Sequence, residues 1–372
     1  MQTVHRVHFK DARHMQAIDS ASVALVITSP PYPMIAMWDE GFGALSAAAR
    51  KALQRNDGRA AFACMHAVLD AVWKETYRIL KPGGFACINI GDAARTIADA
   101  FMLYPNHARI LSCLMELGFT PLPAIVWRKQ TNTPNKFMGS GMYPAGAYVT
   151  LEHEYVLIVR KGAKREFTGE EKRRRRESAI FWEERNAWYS DVWMELKGTR
   201  QDLRPKATRR RSGAFPLELA YRLISMFSIK GDTVVDPFLG TGTTLRAAVA
   251  AARDSIGYEI QPGLRPDIFA DLPGLIHCAH RRIQTRIDEH LAFVNQCRTS
   301  GREIKYLNGP YGFPVVTRQE TELLIDLVED IAPSGPDRLQ ATYSQDPGRS
   351  THPSSSFAAT HAPEPTGQLF LF

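Results

Sequence analysis

Up to about position 260 the chain alternates between two hydrophobic patterns: short unbroken apolar runs, and longer stretches in which apolar residues return every third or fourth position. The first suits strands buried on both faces, the second amphipathic helices with one side against a core. Strands are expected at 4–9, 23–28, 85–90, 122–127, 155–159, 233–235 and 255–258. Helices are expected at 44–54, 59–80, 105–117, 215–227 and 245–252. In the longest, Phe62, Met65, Leu69, Val72, Trp73 and Leu80 mark one face, and Lys81-Pro82-Gly83-Gly84 is read as its stop. Seven strands mostly separated by helices predict a doubly wound α/β sheet, whose ligands bind beyond the C-terminal ends of the strands.

Past 260 the alternation stops. Residues 275–294 and 320–331 are expected to be helical and to pack as an appendage. From 333 onward Pro, Ser, Gly, Thr and Gln dominate, the composition of a disordered tail. Residues 131–148, rich in Gly, Pro, Asn and Ser, read as a long functional loop. The chain then divides into 1–130 and 213–262 as two halves of one α/β domain, with 131–212 inserted, 263–332 appended and 333–372 as tail.

With 372 residues, 44% hydrophobic and 23% charged, the composition is that of a globular protein. No apolar run approaches a bilayer span, and Met1-Gln2-Thr3-Val4-His5 has no signal-peptide core, so a cytoplasmic protein is expected. The five cysteines are scattered without a Cys-x-x-Cys pair, which suggests neither a disulfide framework nor a metal site. The net charge of +7 is concentrated: nine Lys or Arg face three Glu in 160–176, and seven face Asp202 alone in 197–211. Such runs are either solvated surface or contacts to a polyanion. Trp182, Trp188, Tyr189 and Trp193, between them, read mostly as core.

Two motifs carry chemistry. Ser29-Pro30-Pro31-Tyr32 follows the expected strand 23–28. Its prolines hold the backbone extended and remove two amide donors, leaving carbonyls to accept hydrogen bonds beside a hydroxyl and a flat ring. That set suits a planar ligand with an exocyclic amine, although an ordinary proline-stiffened turn has the same sequence. The second motif, Asp236-Pro237-Phe238-Leu239-Gly240-Thr241-Gly242-Thr243-Thr244, lies between a strand and a helix. It lacks the third glycine of a dinucleotide site and the Gly-Lys-Ser/Thr of a phosphate loop. Glu259 closes the next strand, where it can accept hydrogen bonds from a ribose diol. A nucleoside bearing a carboxylate, such as S-adenosylmethionine, fits this combination better than one bearing phosphates.

Together the two motifs resemble those of the bacterial amino-group DNA methyltransferases, and their order, catalytic before cofactor motif, resembles the β class. Segments 127–129, 153–161 and 214–216 are also similar to that family, although Arg210-Arg211-Ser212-Gly213 stands where the family commonly has a histidine. The resemblance implies a class I S-adenosylmethionine-dependent methyltransferase fold, circularly permuted, with helical appendages. It places Asp11 near the cofactor's adenine, Glu259 on its ribose, and the loop of Phe238, Gly240, Thr241, Gly242, Thr243 and Thr244 under its methionine part, with Asp236 and Pro237 also binding the cofactor and Phe215 and Pro216 completing the pocket. Ser29, Pro30, Pro31 and Tyr32 become catalytic, acting on a base flipped out of double-stranded DNA. Serine at position 29 resembles the cytosine-N4 members, with adenine N6 as the alternative target and a non-catalytic DNA-binding protein of the same fold as the alternative of another class. No Pro-Cys dipeptide is present to support ring-carbon methylation. The basic residues Lys172, Arg173, Arg174, Arg175, Arg176, Arg209, Arg210 and Arg211 become candidate DNA contacts, implying a nucleoid-associated protein. The terminal Gln368, Leu369, Phe370, Leu371 and Phe372 resemble the peptide by which bacterial proteins dock on the replication sliding clamp. Whether the protein is a monomer or a homodimer is left open.

Overall fold

The computed structural model describes residues 1–129, 138–196 and 215–346. All seven expected strands form: β1 (Gln2–His8), β2 (Val23–Thr28), β3 (Leu80–Ile90), β5 (Ile125–Arg128), β6 (His153–Lys161), β8 (Thr233–Asp236) and β9 (Asp254–Tyr258). Four more complete an eleven-stranded sheet: β4 (Phe119–Pro121), β7 (Val192–Trp193), β10 (Leu327–Gly335) and β11 (Arg338–Ser344). The order is β7-β5-β6-β3-β2-β8-β9-β1-β11-β10, with β4 beside β6. The centre, from β3 through β2, β8 and β9 to β1, is parallel, and β6 runs against β3.

Every residue of β2 is buried, the result of lying mid-sheet with helices on both faces. Alternate residues serve the two faces. Leu25, Ile27, Cys87, Val156, Ile158 and Val234 pack toward α7 (Leu217–Phe227), α8 (Thr243–Ala250) and α9 (Leu272–Thr299). Val26, Ala86, Ile88, Leu157, Val159 and Val235 pack toward α3 (Gly58–Ile79) and α4 (Asn106–Glu116). Helix α3 starts where the Asp57 carboxylate accepts from Ala60 N at 2.9 Å. Its buried side includes Met65, Leu69, Val72, Trp73 and Ile79, the spacing expected of one helical face.

Three expectations are corrected. Helix α3 stops at Ile79, just before Lys81-Pro82-Gly83-Gly84 as expected, but those residues already belong to β3, which begins at Leu80 and not at Phe85. Residues 320–331 form no regular helix beyond the 3-10 turn Arg318–Glu320; β10 begins at Leu327 instead. The segment after 333, read as tail, supplies the rest of β10 and all of β11, which pairs antiparallel with β1 and closes that side of the sheet. Helix α9 is longer than the expected appendage: Leu275 and Ala279 belong to the main core, while Ile283 and Ile287 join Phe313, Leu323 and Leu327 in a smaller one. Trp188 and Trp193 are buried as expected, whereas Tyr189 is exposed. All five cysteines are free thiols. No helix among the described residues is long and apolar enough to cross a membrane.

Candidate active site

The parallel strands β1, β2, β8 and β9 end on one side of the sheet, and a cavity of about 470 Å³ opens there. That volume is within the range of small-molecule sites. Asp11, Ser29, Pro31, Phe215, Asp236, Pro237, Phe238, Gly240, Thr241, Thr243 and Glu259 all line it. Val72 of α3 and the aromatic rings of Trp38 and Phe42 supply apolar wall.

Asp236 joins the two motifs. One carboxylate oxygen accepts from Thr28 Oγ1 at 2.7 Å and from Phe238 N at 3.0 Å; the other accepts from Thr244 Oγ1 at 2.5 Å. A single buried side chain thus ties the end of β2, one residue before Ser29, to both the turn of the glycine loop and the first turn of α8. Burial pushes the Asp236 carboxyl up to about 6, against the pull of these three donors. Gly242, the N-cap of α8, has φ 90°, a conformation that a side chain would strain, and it leaves the helix N-terminus open toward the cavity.

Glu259 stands directly after β9. Its oxygens accept from Gly240 N at 2.9 Å and Gln261 N at 2.8 Å, which fixes the carboxylate at the cavity edge with further acceptor capacity. Burial raises its pKa, opposed by those two N–H groups. At the end of β1, Asp11 is held by Arg13, through Arg13 N at 2.9 Å and the guanidinium at 2.6 Å and 2.8 Å. Burial alone would raise the Asp11 pKa, but these Arg13 contacts hold it below the usual carboxylate range. A carboxylate at a strand end, an open helix N-terminus and apolar walls fit a nucleoside with a charged amino-acid tail.

Ser29 Oγ lies 3.1 Å from Tyr32 Oη. Tyr32 Oη donates to Glu154 Oε2 at 2.9 Å and accepts from Asn89 Nδ2 at 3.0 Å. Asn89 Nδ2 also reaches Glu154 Oε2 at 2.7 Å, and Lys129 Nζ caps Glu154 Oε1 at 2.8 Å. Burial, and then the neighbouring Glu154, keep the Tyr32 hydroxyl protonated well above its ordinary range. Gly91 backs the tyrosine ring: a Cβ there would stand 3.0 Å from Tyr32 Cε2.

Residues 23–269 match the DNA methylase family model of N6 and N4 methyltransferases. The chain belongs to that family. The methylase is 47% identical over 325 residues to the Type II methyltransferase M.MthZI of Methanothermobacter thermautotrophicus, covering 87% of this chain and 90% of that one. It is 49% identical over 277 residues to the Type II methyltransferase M.MjaI of Methanocaldococcus jannaschii, covering 72% and 90%. Among solved structures it is similar to TTHA0409 of Thermus thermophilus, described as a DNA modification methylase and complexed with S-adenosyl-L-methionine. That likeness has 33% identity, TM-score 0.56 and coverage of 73% of this chain and 93% of that one. The methylase has the class I methyltransferase fold and uses S-adenosyl-L-methionine as cofactor.

Of the sequence-predicted residues, Pro30 and Tyr32 do not line the cavity, although Ser29 and Pro31 beside them do. Pro216, Gly242 and Thr244 do not line it either, while their chain neighbours Phe215 and Thr243 do. Lys172, Arg173, Arg174, Arg175 and Arg176 are not brought to the site. They lie on α5 (Gly169–Glu177), which packs at the opposite end of the strands: Ser178 Oγ accepts from Lys230 N, and Arg165 meets Asp232, which precedes β8. The length of β3 between the two ends is on the order of 33 Å. There Arg173 pairs with Glu170 and Glu177, Arg176 with Glu322, and Arg175 covers the Phe167 ring. Arg209, Arg210, Arg211 and the terminal residues Gln368 to Phe372 lie outside the described residues. Sequence reasoning missed Asn89 and Glu154 as partners of Tyr32, Lys129 as the partner of Glu154, and Trp38 and Phe42 as cavity wall. The signal for Glu154 was an acid directly before the apolar run 155–159.

Proposed function

We propose that the methylase transfers a methyl group to N4 of cytosine in double-stranded DNA, at a specific sequence, as the modification partner in a restriction-modification pair. The observation that carries the reading is serine, rather than aspartate, at the head of Ser29-Pro30-Pro31-Tyr32, at the rim of a cavity suited to the cofactor. Glu259 would hold the ribose hydroxyls, Asp11 the adenine side, and the loop 238–244 with Phe215 the amino-acid part. When bound there, the cofactor would supply an electrophilic methyl group on its sulfonium sulfur, and the sulfur would keep the electron pair of the S–C bond that breaks and leave as a neutral thioether.

The amine of cytosine is a weak nucleophile because its lone pair is delocalised into the ring. Ser29 Oγ and the Pro30 carbonyl would accept its two protons, drawing the nitrogen toward tetrahedral geometry and freeing the lone pair to form the new N–C bond. The alkylated nitrogen then sheds one proton to water. Fixed acceptors and alignment of the reacting atoms are established sources of rate. The base must leave the duplex to reach Ser29, at a cost of roughly a few kcal/mol, and stacking on an aromatic ring such as Tyr32 returns about 1–3 kcal/mol. DNA would approach the end of the sheet that carries the cavity. Residues 138–152 lead into β6 on that same end and expose Met142, Tyr143, Tyr148 and Val149.

Base-resolution methylome sequencing of cells expressing the gene tests the reading. N4-methylcytosine at one recurrent sequence is expected, and N6-methyladenine alone would reassign the target.

A further inference from the structure

We infer that Glu154 is a positioning residue for the reaction: acting through the Tyr32 hydroxyl, it fixes the direction of hydrogen bonding at Ser29 so that Ser29 Oγ keeps its lone pairs for the target amine. The inference rests on the assignment of Ser29 as amine acceptor made above.

A serine hydroxyl can donate or accept, and only an acceptor helps a substrate amine that itself donates. What sets the choice is the neighbouring phenol. Tyr32 Oη has a single proton. Glu154 Oε2, 2.9 Å away, belongs to a carboxylate facing the Lys129 ammonium and can only accept. The Tyr32 proton therefore goes to Glu154. Asn89 supports the same direction, since its Nδ2 only donates and it reaches both Tyr32 Oη and Glu154 Oε2. With its proton committed, Tyr32 has none to give to Ser29 Oγ at 3.1 Å, so Ser29 can enter that contact only as donor. Among the described residues this is the one hydrogen-bond partner of Ser29 Oγ, and its lone pairs stay available on the cavity side.

The arrangement is built rather than incidental. Asn89 is 2% exposed and Glu154 9%, so both polar groups have been taken out of water, and Asn89 Nδ2 donates to Glu154 Oε2 at 2.7 Å. They come from adjacent antiparallel strands, with Asn89 opposite Val156 in β3 and β6, and Lys129 follows β5. Remove the carboxylate and the phenol proton is free to turn toward Ser29. The serine proton is then displaced toward the substrate, where it opposes the amine.

A double-mutant cycle on the full-length protein tests this, with kcat for methyl transfer to duplex DNA and cofactor affinity measured for each member. Tyr32→Phe keeps the ring and removes the hydroxyl; Glu154→Gln keeps the shape and replaces one acceptor oxygen by a donor. Each is expected to lower kcat about tenfold, the loss of one charge-assisted link, with cofactor affinity unchanged. Because both act through the same hydroxyl, the double variant should be no slower than the slower single one. Losses that multiply to about a hundredfold, a Tyr32→Phe variant as fast as the parent, or a loss confined to cofactor affinity would each overturn the inference. If Glu154→Gln fails to fold, Glu154→Asp, which withdraws the carboxylate by one methylene, takes its place in the cycle. Ser29→Ala run alongside separates the two levels: full activity in that variant would overturn the assignment of Ser29 itself, whereas an inactive Ser29→Ala with a multiplicative cycle would sink only the role of Glu154.

Discussion

Replacing Ser29 with alanine is expected to lower the rate of methyl transfer by roughly 10²–10³-fold, the usual effect of deleting one preorganised polar group at a reacting centre. Cofactor affinity should stay within about twofold, because the parts of the cavity that suit a nucleoside are Glu259, the open end of α8 and the apolar walls, none of which depends on the serine hydroxyl. The fold should also persist: Ser29 is only half-buried and its partner Tyr32 keeps Glu154 and Asn89. Single-turnover transfer to duplex DNA, beside an equilibrium titration with cofactor, separates the two quantities. A variant that still methylates at the parental rate would remove serine from the chemistry.

Asp236 gives the second large effect, and two substitutions distinguish what it does. Asp236→Ala strips acceptors from Thr28, Thr244 and Phe238 N at once and leaves a void in a fully buried place. A loss of about 3–5 kcal/mol in stability is expected, together with a large drop in cofactor affinity as the glycine loop loses its tie to β2. Asp236→Asn keeps the shape: its amide oxygen can still accept from Thr28 Oγ1 and Phe238 N, and only the Thr244 hydroxyl must turn to accept from the amide nitrogen, so the fold should survive. Its stability should also respond differently to pH. In the folded parent the Asp236 carboxyl is raised to about 6, so between about pH 4 and 6 the unfolded chain has released a proton that the folded chain still holds. The contribution of this group is complete below about pH 4 and is lost as pH rises to about 6, on the order of 3 kcal/mol in all. Asparagine does not titrate, so denaturant unfolding should show the Asn variant gaining on the parent by up to that amount across the window. Equal pH profiles for the two proteins would mean that Asp236 titrates as an ordinary carboxylate.

The parallel centre of the sheet was legible because its strands are buried on both faces. Val23-Ala24-Leu25-Val26-Ile27-Thr28 is an unbroken apolar run too short for a buried helix. The far edge was not. In β11 only Leu339, Ala341 and Tyr343 are buried, and in β10 Pro333, Ser334 and Gly335 have the composition of a tail. An edge strand tolerates Pro and needs only one apolar face, so its signal is weak until β1 is seen beside it. The two motifs were legible as sequence. The bond that joins them was not, since Thr28 and Asp236 are 208 residues apart and threonine after an apolar run looks like the end of any strand.

The basic residues of α5 are a strong composition signal that the fold carries away from the cavity. Glu170 and Glu177 stand three and four positions from Arg173, the spacing of ion pairs along one helix face, and the pairs form. Charge was counted where its neighbours should have been. Lys129, a single lysine outside both clusters, is instead the cation that reaches the catalytic neighbourhood, through Glu154.

The most direct measurement is the chemical identity of the methylated base. Duplex DNA incubated with the purified full-length methylase and S-adenosyl-L-methionine carrying a labelled methyl group is digested to nucleosides and the label located. The geometry around Ser29 and the Pro30 carbonyl predicts label on an exocyclic amine nitrogen. Label on a ring carbon, as 5-methylcytosine, or none in DNA, would contradict the account.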